Sequence, residues 1–332
     1  MALPHVENYV FGSGVCYFAP FDANGRPMGE RDLGNVPAFT LSVKSDKFEH
    51  TSARTATRKT DLSRTISVTF SGKLTFEDMS ADNLALFLAG ASSDAAQSSG
   101  SVSAERIYNA EAGRYYQLGM DTDGVGVAGV SSVTVKGYEF TNASARANST
   151  AYVVGDLFKS TTHVFIVTTA GTSAGSAPTF DFAAIGNSTV DGTATVKYIG
   201  ETAAYTVDTD YDLDTDLARV GVVADSTLGD GLALYYTVTG TYPSLQVGYT
   251  KTANSRTKIT SSASGSVTGQ FRFIADNAAG DNRNVVISSC SLAPAGDVPF
   301  ITDKEIAKFD AEIGVNEKDS NTPLITIFGN PV

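Results

Sequence analysis

Hydrophobic and polar residues alternate along several segments of the chain. The alternation is most regular between Ile66 and Phe76, and a period of two is typical of a strand with one buried face. The apolar face of this segment consists of Ile66, Val68, Phe70, Leu74 and Phe76. The same pattern recurs at residues 133–135, 232–238 and 309–315. These segments predict a mainly β protein.

A helix is predicted between Ser80 and Gly90. Ser80 suits the N-cap, where its hydroxyl accepts a hydrogen bond from a free backbone N–H, and Asp82 lies favourably in the first turn. The apolar face consists of Leu84, Phe87 and Leu88. Gly90 ends the pattern, because glycine readily adopts the backbone conformation that closes a helix. We expect this helix to pack across the β-sheet structure.

Residues 50–64 interrupt the strand pattern with a polar and basic stretch. Its basic residues are Arg54, Arg58, Lys59 and Arg64. A stretch of this length without hydrophobic periodicity is typical of a disordered segment or of a functional arm. We expect an arm that is flexible in the free protein and becomes ordered when it docks on an acidic surface. An ordinary solvated loop is the alternative.

Residues 141–200 have strands and turns of their own. Strands are predicted at 164–168 and 193–199, and turns at Gly171, Gly186 and Asp191-Gly192. Loop tips are the places where proteins tolerate an inserted domain. The sequence therefore predicts a small all-β domain at 141–200, inserted into a main domain formed by residues 1–140 and 201–332.

Composition narrows the class of protein. The chain has 332 residues, of which 42% are hydrophobic, and its net charge of −12 disfavours a grip on nucleic-acid phosphates. The first residues lack the features of a signal peptide, and no apolar run approaches the ~20 residues that span a bilayer. We expect a soluble protein without membrane insertion. Cys16 and Cys290 are expected to be buried free thiols.

Aspartates occupy every second position over one stretch of the chain. They are Asp208, Asp210, Asp212, Asp214 and Asp216. If the whole stretch is one strand, the carboxylates all project from one face. The face is then a calcium site, a plain solvated surface, or an acidic surface turned towards a channel or a basic partner. An EF-hand loop needs Gly where Leu213 stands, which makes calcium the weakest of the three.

Patterns that suggest enzymes have simpler explanations here. The G-x-G-x-x-G pattern of Gly124, Gly126 and Gly129 precedes a strand-like segment, whereas a nucleotide site needs a helix there. The histidines are His5, His50 and His163. They are scattered, and no spacing brings them together with a nucleophile or with metal-binding carboxylates. We expect no catalytic residue, no metal site and no cofactor.

The N-terminal region resembles bacteriophage tail tube proteins. The resemblance is carried by Val10-Phe-Gly-Ser-Gly, by Tyr17-Phe-Ala-Pro-Phe-Asp-Ala-Asn-Gly-Arg-Pro and by Glu30-Arg-Asp-Leu-Gly-Asn-Val-Pro-Ala-Phe. The hairpin around residues 66–76, the helix after it, and the segment from Phe271-Arg-Phe-Ile-Ala-Asp-Asn to Leu292-Ala-Pro fit the same plan. The resemblance extends over residues 6–140 and 201–328.

This resemblance implies a tail-tube β-sandwich or barrel with one flanking α-helix, in a virion protein rather than an enzyme. Copies of the chain are expected to form homohexameric rings, which stack into an acidic channel for DNA ejection into the host. Double-stranded DNA passes through without specific binding. Other expected partners are the tape measure, terminator and distal tail proteins, and the expected locations are the virion tail and, during assembly, the host cytoplasm. The basic residues of 50–64 would contact the next ring, and the aspartates would line the lumen.

Residues 141–200 carry a second resemblance. It lies in Ala151-Tyr-Val-Val-Gly-Asp, Val164-Phe, Thr168-Thr-Ala-Gly-Thr-Ser, Ala177-Pro and Val190-Asp-Gly-Thr. Similar small β modules decorate phage virions and resemble carbohydrate-binding domains, whose usual tryptophans are replaced here by Phe180 and Tyr198. The resemblance implies a decoration domain, with Tyr152, Phe180 and Tyr198 as candidate glycan-facing aromatics.

Two other classes of protein stay open on the sequence. A carbohydrate-binding adhesin would bind surface glycans through residues 141–200 and use the rest of the chain as a scaffold. A calcium-stabilised surface-layer or secreted β protein would bind the ion through aspartates such as Asp210 and Asp212. Neither class accounts for the N-terminal resemblance or for the basic stretch.

Overall fold

The structure, a computed structural model, describes residues 9–54, 56–120, 125–262 and 265–329. Strands hold 50% of the residues and helices 8%, so the predicted mainly β class is confirmed. The strands are β1 Gly14–Pro20, β2 Arg31–Asp32, β3 Ala38–Ser52, β4 Lys59–Phe76, β5 Ala91–Gln97, β6 Gly100–Ile107, β7 Tyr115–Gln117, β8 Val130–Gly137, β9 Ser144–Ala145, β10 Ala151–Tyr152, β11 Leu157–Ser160, β12 His163–Thr169, β13 Gly171–Thr172, β14 Ser188–Asp191, β15 Ala194–Glu201, β16 Tyr211–Asp214, β17 Arg219–Val222, β18 Leu245–Lys251, β19 Asn254–Thr260, β20 Val267–Ala275, β21 Arg283–Pro294, β22 Phe309–Val315 and β23 Ile325–Gly329. The helices are α1 Ala81–Phe87, α2 Tyr138–Thr141 and α3 Thr227–Thr239.

The chain forms two compact units with bounds that differ from the predicted domains. One unit is Met1–Asp94 with Thr257–Val332, and the other is Ala95–Arg256. Residues 141–200, predicted to be a domain of their own, lie inside the second unit. Their hydrophobic residues divide between two clusters: Val164 and Ile166 pack with residues outside that range, such as Leu245, whereas Phe158 and Phe165 belong to a smaller cluster of their own.

The first unit is built on a single eight-stranded sheet. Its strands run in the order β2, β1, β20, β21, β22, β4 and β3, and β23 pairs with β21 beside β22. Buried aromatic rings hold α1 against this sheet: Phe309 stacks on Phe76 with centroids 4.8 Å apart, and Phe87 meets Phe309 edge-on at 5.2 Å. The core of the unit therefore lies between the sheet and α1.

The sequence prediction for α1 is confirmed at its start and at most of its apolar face. The hydroxyl of Ser80 accepts a hydrogen bond from the backbone N–H of Asn83, and Asp82 lies in the first turn. Phe87 is buried and Leu84 is half-buried against the core, as predicted. Leu88, however, is 40% exposed, because the helix ends at Phe87 and Leu88 is its C-cap.

The second unit combines several small sheets with α2 and α3. The largest sheet has the order β14, β15, β12, β11 and β9. One face of it packs into the main cluster of the unit through Val164 and Ile199, and the other face carries a separate aromatic cluster around Phe158 and Phe165. The unit also contains three-stranded sheets of β16, β17 and β7 and of β6, β18 and β8, and a two-stranded sheet of β10 and β13.

The predicted strand at residues 232–238 is wrong, because these residues belong to α3. The hydroxyl of Ser226 accepts from the N–H of Gly229 at 2.9 Å and begins the helix, and Gly240, with a φ of 72°, ends it. The helix packs closely on β15, since a Cβ at Gly231 would lie 2.1 Å from the carbonyl oxygen of Ile199. The period-two pattern of apolar residues is thus accommodated by a helix with caps at both ends.

No helix within the described ranges combines the length and the apolar character required to cross a membrane.

Candidate functional site

The most unusual feature of the first unit is a long β-hairpin at the edge of its sheet. Strands β3 and β4 pair from Ala38 and Thr75 at the base to Ser52 and Lys59 near the turn. The neighbouring strand β22 pairs with β4 only up to Ser71. Beyond that point the hairpin is a two-stranded ribbon, which we call the hairpin arm (residues 42–69). In the described part of the chain, no strand pairs with the outer edge of β3.

Both faces of the hairpin arm are open to solvent. Apart from the half-buried Ser52, every described residue of the arm is exposed. An isolated pair of strands is only marginally stable in water, and it normally needs a third strand or a packed face. The arm is therefore exposed in the way that is expected of a segment that packs against another molecule.

An apolar stripe runs along one face of the arm. It consists of Val43, Ile66 and Val68, and it continues through the half-buried Phe70 to the buried Leu74 at the base. Val43 and Ile66 are 64% and 66% exposed, and Val68 is 50% exposed. The sequence prediction that Ile66 and Val68 are buried is therefore wrong for the isolated chain. They are exposed because β22 and the core end near Ser71, whereas the alternation in β4 continues.

The hairpin arm is basic in an acidic protein. It contains six Lys and Arg residues and three Asp and Glu residues, a net charge of +3, so the rest of the −12 chain carries −15. The predicted contact residues cluster towards its tip: Arg54 in the turn, Arg58 and Lys59 where β4 begins, and Arg64 opposite Phe48. Among the described residues, none forms an ion pair with any of these four side chains.

The structure also corrects the expectation that this stretch lacks regular structure. Residues 59–64 continue β4, and residues 50–52 complete β3. Near the tip, His50 Nδ1 lies 2.6 Å from Asp61 Oδ1 across the two strands. The register shifts next to this pair, between His50 and Thr51, and again between Asp46 and Lys47. The arm is thus a paired hairpin with two irregularities, which increase the local twist of a ribbon.

The aspartates do not form one acidic face. Only Asp212 and Asp214 lie in β16. Asp208 lies in a turn with a φ of 63°, and Asp216 follows the end of the strand. The alternating pattern covers more residues than the strand does, so the prediction of a continuous acidic strand is wrong.

Asp210 explains where the aspartate pattern breaks. Its side chain is buried, and it accepts hydrogen bonds from the backbone N–H groups of Thr206 at 3.0 Å and Leu228 at 3.4 Å. The second bond lies at the first turn of α3, where a carboxylate interacts favourably with the helix dipole. Asp210 therefore has a structural role inside the second unit, and its side chain is not part of an open surface.

The predicted glycan-facing aromatics form part of a core. Tyr152 packs on Phe158 with ring centroids 5.3 Å apart, and Phe180 packs on Phe165 at 4.5 Å. Tyr198 is only 4% exposed and also contacts Phe165. These three rings therefore stabilise one face of the five-stranded sheet and do not form an open platform for a sugar.

Residues that suggest catalysis stay apart in the described ranges. No group of three His, Cys, Asp or Glu side chains there has the geometry to hold a metal ion. His5 and Gly124 lie outside the described residues, and strand β8 follows the glycine pattern as predicted. Cys16 and Cys290 are buried free thiols, as predicted, and burial raises the pKa of each to about 12.

Comparison with known sequences places the chain in a family. No curated protein matches the sequence. A sequence family matches residues 9–191, more than half of the chain, and the matched region includes the whole hairpin arm. The chain belongs to the family described as "Protein of unknown function UCP028589".

Proposed function

We propose that this protein is a structural subunit of a bacteriophage tail tube. In this proposal, copies of the chain form homohexameric rings that stack around a channel for DNA. The observation that carries the proposal is the hairpin arm, a two-stranded ribbon with an exposed apolar stripe and a basic tip. It is a binding element for another protein surface rather than a pocket for a small molecule.

The apolar stripe argues for a permanent partner. Val43, Ile66 and Val68 are each at least half exposed, and exposed β-ribbons with apolar faces invite pairing with other chains. Burying one such side chain contributes roughly 1.5–3 kcal/mol. These three neighbouring apolar side chains therefore represent a substantial driving force for assembly.

Charge complementarity argues that the partner is a second copy of the chain. The arm carries +3 and the remaining residues carry −15, so the arm of one copy is attracted to the acidic surface of another. A contact between two different surfaces of identical subunits is heterologous. Such contacts generate closed rings or extended stacks, which is the architecture of a tube.

The rest of the unit supports the same proposal. The N-terminal residues that resemble tail tube proteins lie in or beside β1, β2 and the beginning of β3, next to the arm in sequence. The net charge of −12 per subunit suits a channel wall, because like charges keep DNA from adhering while it passes. In a virion, the end rings would contact tape measure, terminator and distal tail proteins, and the protein would be found in the tail.

Negative-stain electron microscopy of the purified protein over a series of concentrations tests the proposal. We expect ring-shaped particles and hollow tubes whose number increases with concentration. A matched sample of the Ile66→Asp variant, which places a charge in the apolar stripe, is expected to stay dispersed. Single subunits at every concentration, or tubes formed equally well by the variant, would contradict the proposal.

A further inference from the structure

A small groove with an aromatic wall lies in the second unit, whereas the hairpin arm belongs to the first unit. It is formed by α3 and the segment around Ala110, and its volume is about 270 Å³. Its lining residues include Ala110, Glu111, Leu232, Tyr236 and Tyr242. Ala110 and Leu232 are buried and make an apolar floor.

The aromatic wall is a stacked pair of tyrosines. The rings of Tyr236 and Tyr242 have centroids 4.3 Å apart and an angle of 16° between their planes. They remain 41% and 43% exposed, so each ring still presents surface to solvent. Gly240 lies between them in the sequence with a φ of 72°, and its N–H donates to the carbonyl of Tyr236 at 2.8 Å. The turn after α3 thus holds the pair in a fixed arrangement.

Polar groups lie beside the aromatic wall. Glu111 and Tyr242 both line the groove, and the Glu111 carboxylate raises the pKa of the Tyr242 phenol. Arg114 Nε lies 3.4 Å from Glu111 Oε2, so the two charges compensate each other. The N–H of Glu111 donates to the hydroxyl of Tyr116 at 2.7 Å and fixes the backbone at this point. The groove lining therefore offers a carboxylate acceptor whose charge is compensated by the neighbouring Arg114.

We propose that this groove binds one ring of a neutral sugar. An aromatic face contacts the apolar C–H face of a pyranose, while the Glu111 carboxylate accepts hydrogen bonds from its hydroxyl groups. The volume of about 270 Å³ is slightly below the usual range of ligand pockets, roughly 300–1,000 Å³, and suits a single ring. An anionic ligand is disfavoured by the acidic chain and by the compensated charge of Glu111. This inference does not depend on tube assembly.

Saturation-transfer difference NMR on the purified full chain tests this inference. The probes are the methyl glycosides of glucose, galactose, mannose and N-acetylglucosamine. We expect saturation transfer to the ring protons of at least one glycoside. Tyr242→Ala and Tyr236→Ala are each expected to weaken binding at least about tenfold, and Glu111→Gln to weaken it by a smaller factor.

Tyr115→Ala is the matched control, because Tyr115 is 56% exposed in the same unit and does not line the groove. It is expected to bind the glycoside as the unmodified chain does. Circular dichroism of each variant verifies that it is folded. The inference is overturned if no glycoside shows saturation transfer at millimolar concentration, if Tyr242→Ala binds normally, or if a proline-rich peptide binds the groove while the glycosides do not.

Discussion

The two ends of the hairpin formed by β3 and β4 have the same sequence pattern and opposite environments. At the base, Leu74 and Phe76 are buried between the sheet and α1. In the arm, Ile66 and Val68 continue the same apolar face into solvent. The change occurs at Ser71, where β22 stops pairing with β4. The apolar face is therefore longer than the core that one subunit provides.

The proposed function gives the two regions different roles: residues at the base fold the chain, and residues in the arm would contact another copy. A side chain at the base loses its contact with water when the chain folds, so its truncation lowers the free energy of unfolding. A side chain in the arm is exposed in the single subunit, so its truncation affects stability little and affects binding to another copy. Variants along this one strand can test both statements.

Leu74→Ala should have the largest effect on the folded subunit. Leu74 is fully buried, and its truncation leaves a cavity, so we expect the free energy of unfolding of the first unit to fall by about 2–5 kcal/mol. Urea denaturation of dispersed subunits measures this change. The matched change Ile66→Ala in the arm should alter it by less than about 0.5 kcal/mol. Equal losses for the two variants would remove the distinction between base and arm.

Ile66→Ala should instead affect assembly. The removed carbons would be buried on assembly at roughly 0.8 kcal/mol each, and 1.4 kcal/mol corresponds to a factor of ten. We expect the critical concentration for tube formation, measured by light scattering, to rise by at least about tenfold. Thr69→Ala, on the opposite face of the same strand, serves as control and should leave it within about twofold. A larger effect of the control would assign the contact to the other face.

Charge reversal at the tip of the arm should have a smaller effect on assembly, and the size of this effect should depend on the salt concentration. The double variant Arg54→Glu and Arg58→Glu should slow assembly several-fold in about 0.1 M NaCl and much less in about 1 M NaCl, where the Debye length is only about 3 Å. Stopped-flow light scattering measures the rates. Arg26→Glu, an exposed change elsewhere in the first unit, is the control. Identical salt dependence for variant and control would exclude a role for the basic tip.

The smallest expected effect concerns the stability at low pH of the ion pair at the base of the hairpin. Hydrogen bonds from Lys73 Nζ at 2.6 Å and Thr75 Oγ1 at 2.7 Å hold the pKa of Asp310 below its usual range. Because the folded pKa is lowered, this contribution is complete above the pKa of the unfolded chain and is lost as the pH falls through the folded value. The pair is partly exposed, so Asp310→Asn should cost less than about 1 kcal/mol at pH 7.

The free energy of unfolding, measured by urea denaturation over a range of pH, checks this assignment. Asp310→Asn removes the titrating group, so the variant and the unmodified chain should become equally stable at low pH. Lys73→Met should reduce the difference between pH 7 and low pH as well, since it removes the first hydrogen bond to the carboxylate. A stability difference that grows as the pH falls would show the opposite sign and contradict the assignment.

The sequence predicts the elements whose local signals agree with their packing. The strands at β22 and at the base of β4 alternate and are buried accordingly, and α1 has a capping serine at the expected place. The helix α3 was harder to predict, because Leu232, Leu234 and Tyr236 also alternate. Its signals were the Ser226 cap, Gly240 and the spacing of four between Leu228 and Leu232, both of which are buried.

The candidate site was predictable only in part. The basic residues of the arm mark it in the sequence, but alternation shows which side chains share a face and not whether one subunit covers that face. The aspartate pattern failed for a related reason, because the buried Asp210 bonds to backbone groups and the strand begins only at Tyr211. The groove of Tyr236 and Tyr242 requires α3, so a prediction of strand at these residues could not reveal it.

Deletion of the hairpin arm tests the central claim most directly. Residues 44–69 would be replaced by Asn-Gly, which forms a two-residue hairpin turn between the paired Val43 and Phe70. Sedimentation velocity then compares this protein with the unmodified chain over the same concentrations. We predict that the unmodified chain sediments as rings and larger stacks, while the deletion variant sediments as folded single subunits. Identical size distributions for the two proteins would contradict the claim that the arm assembles the subunits.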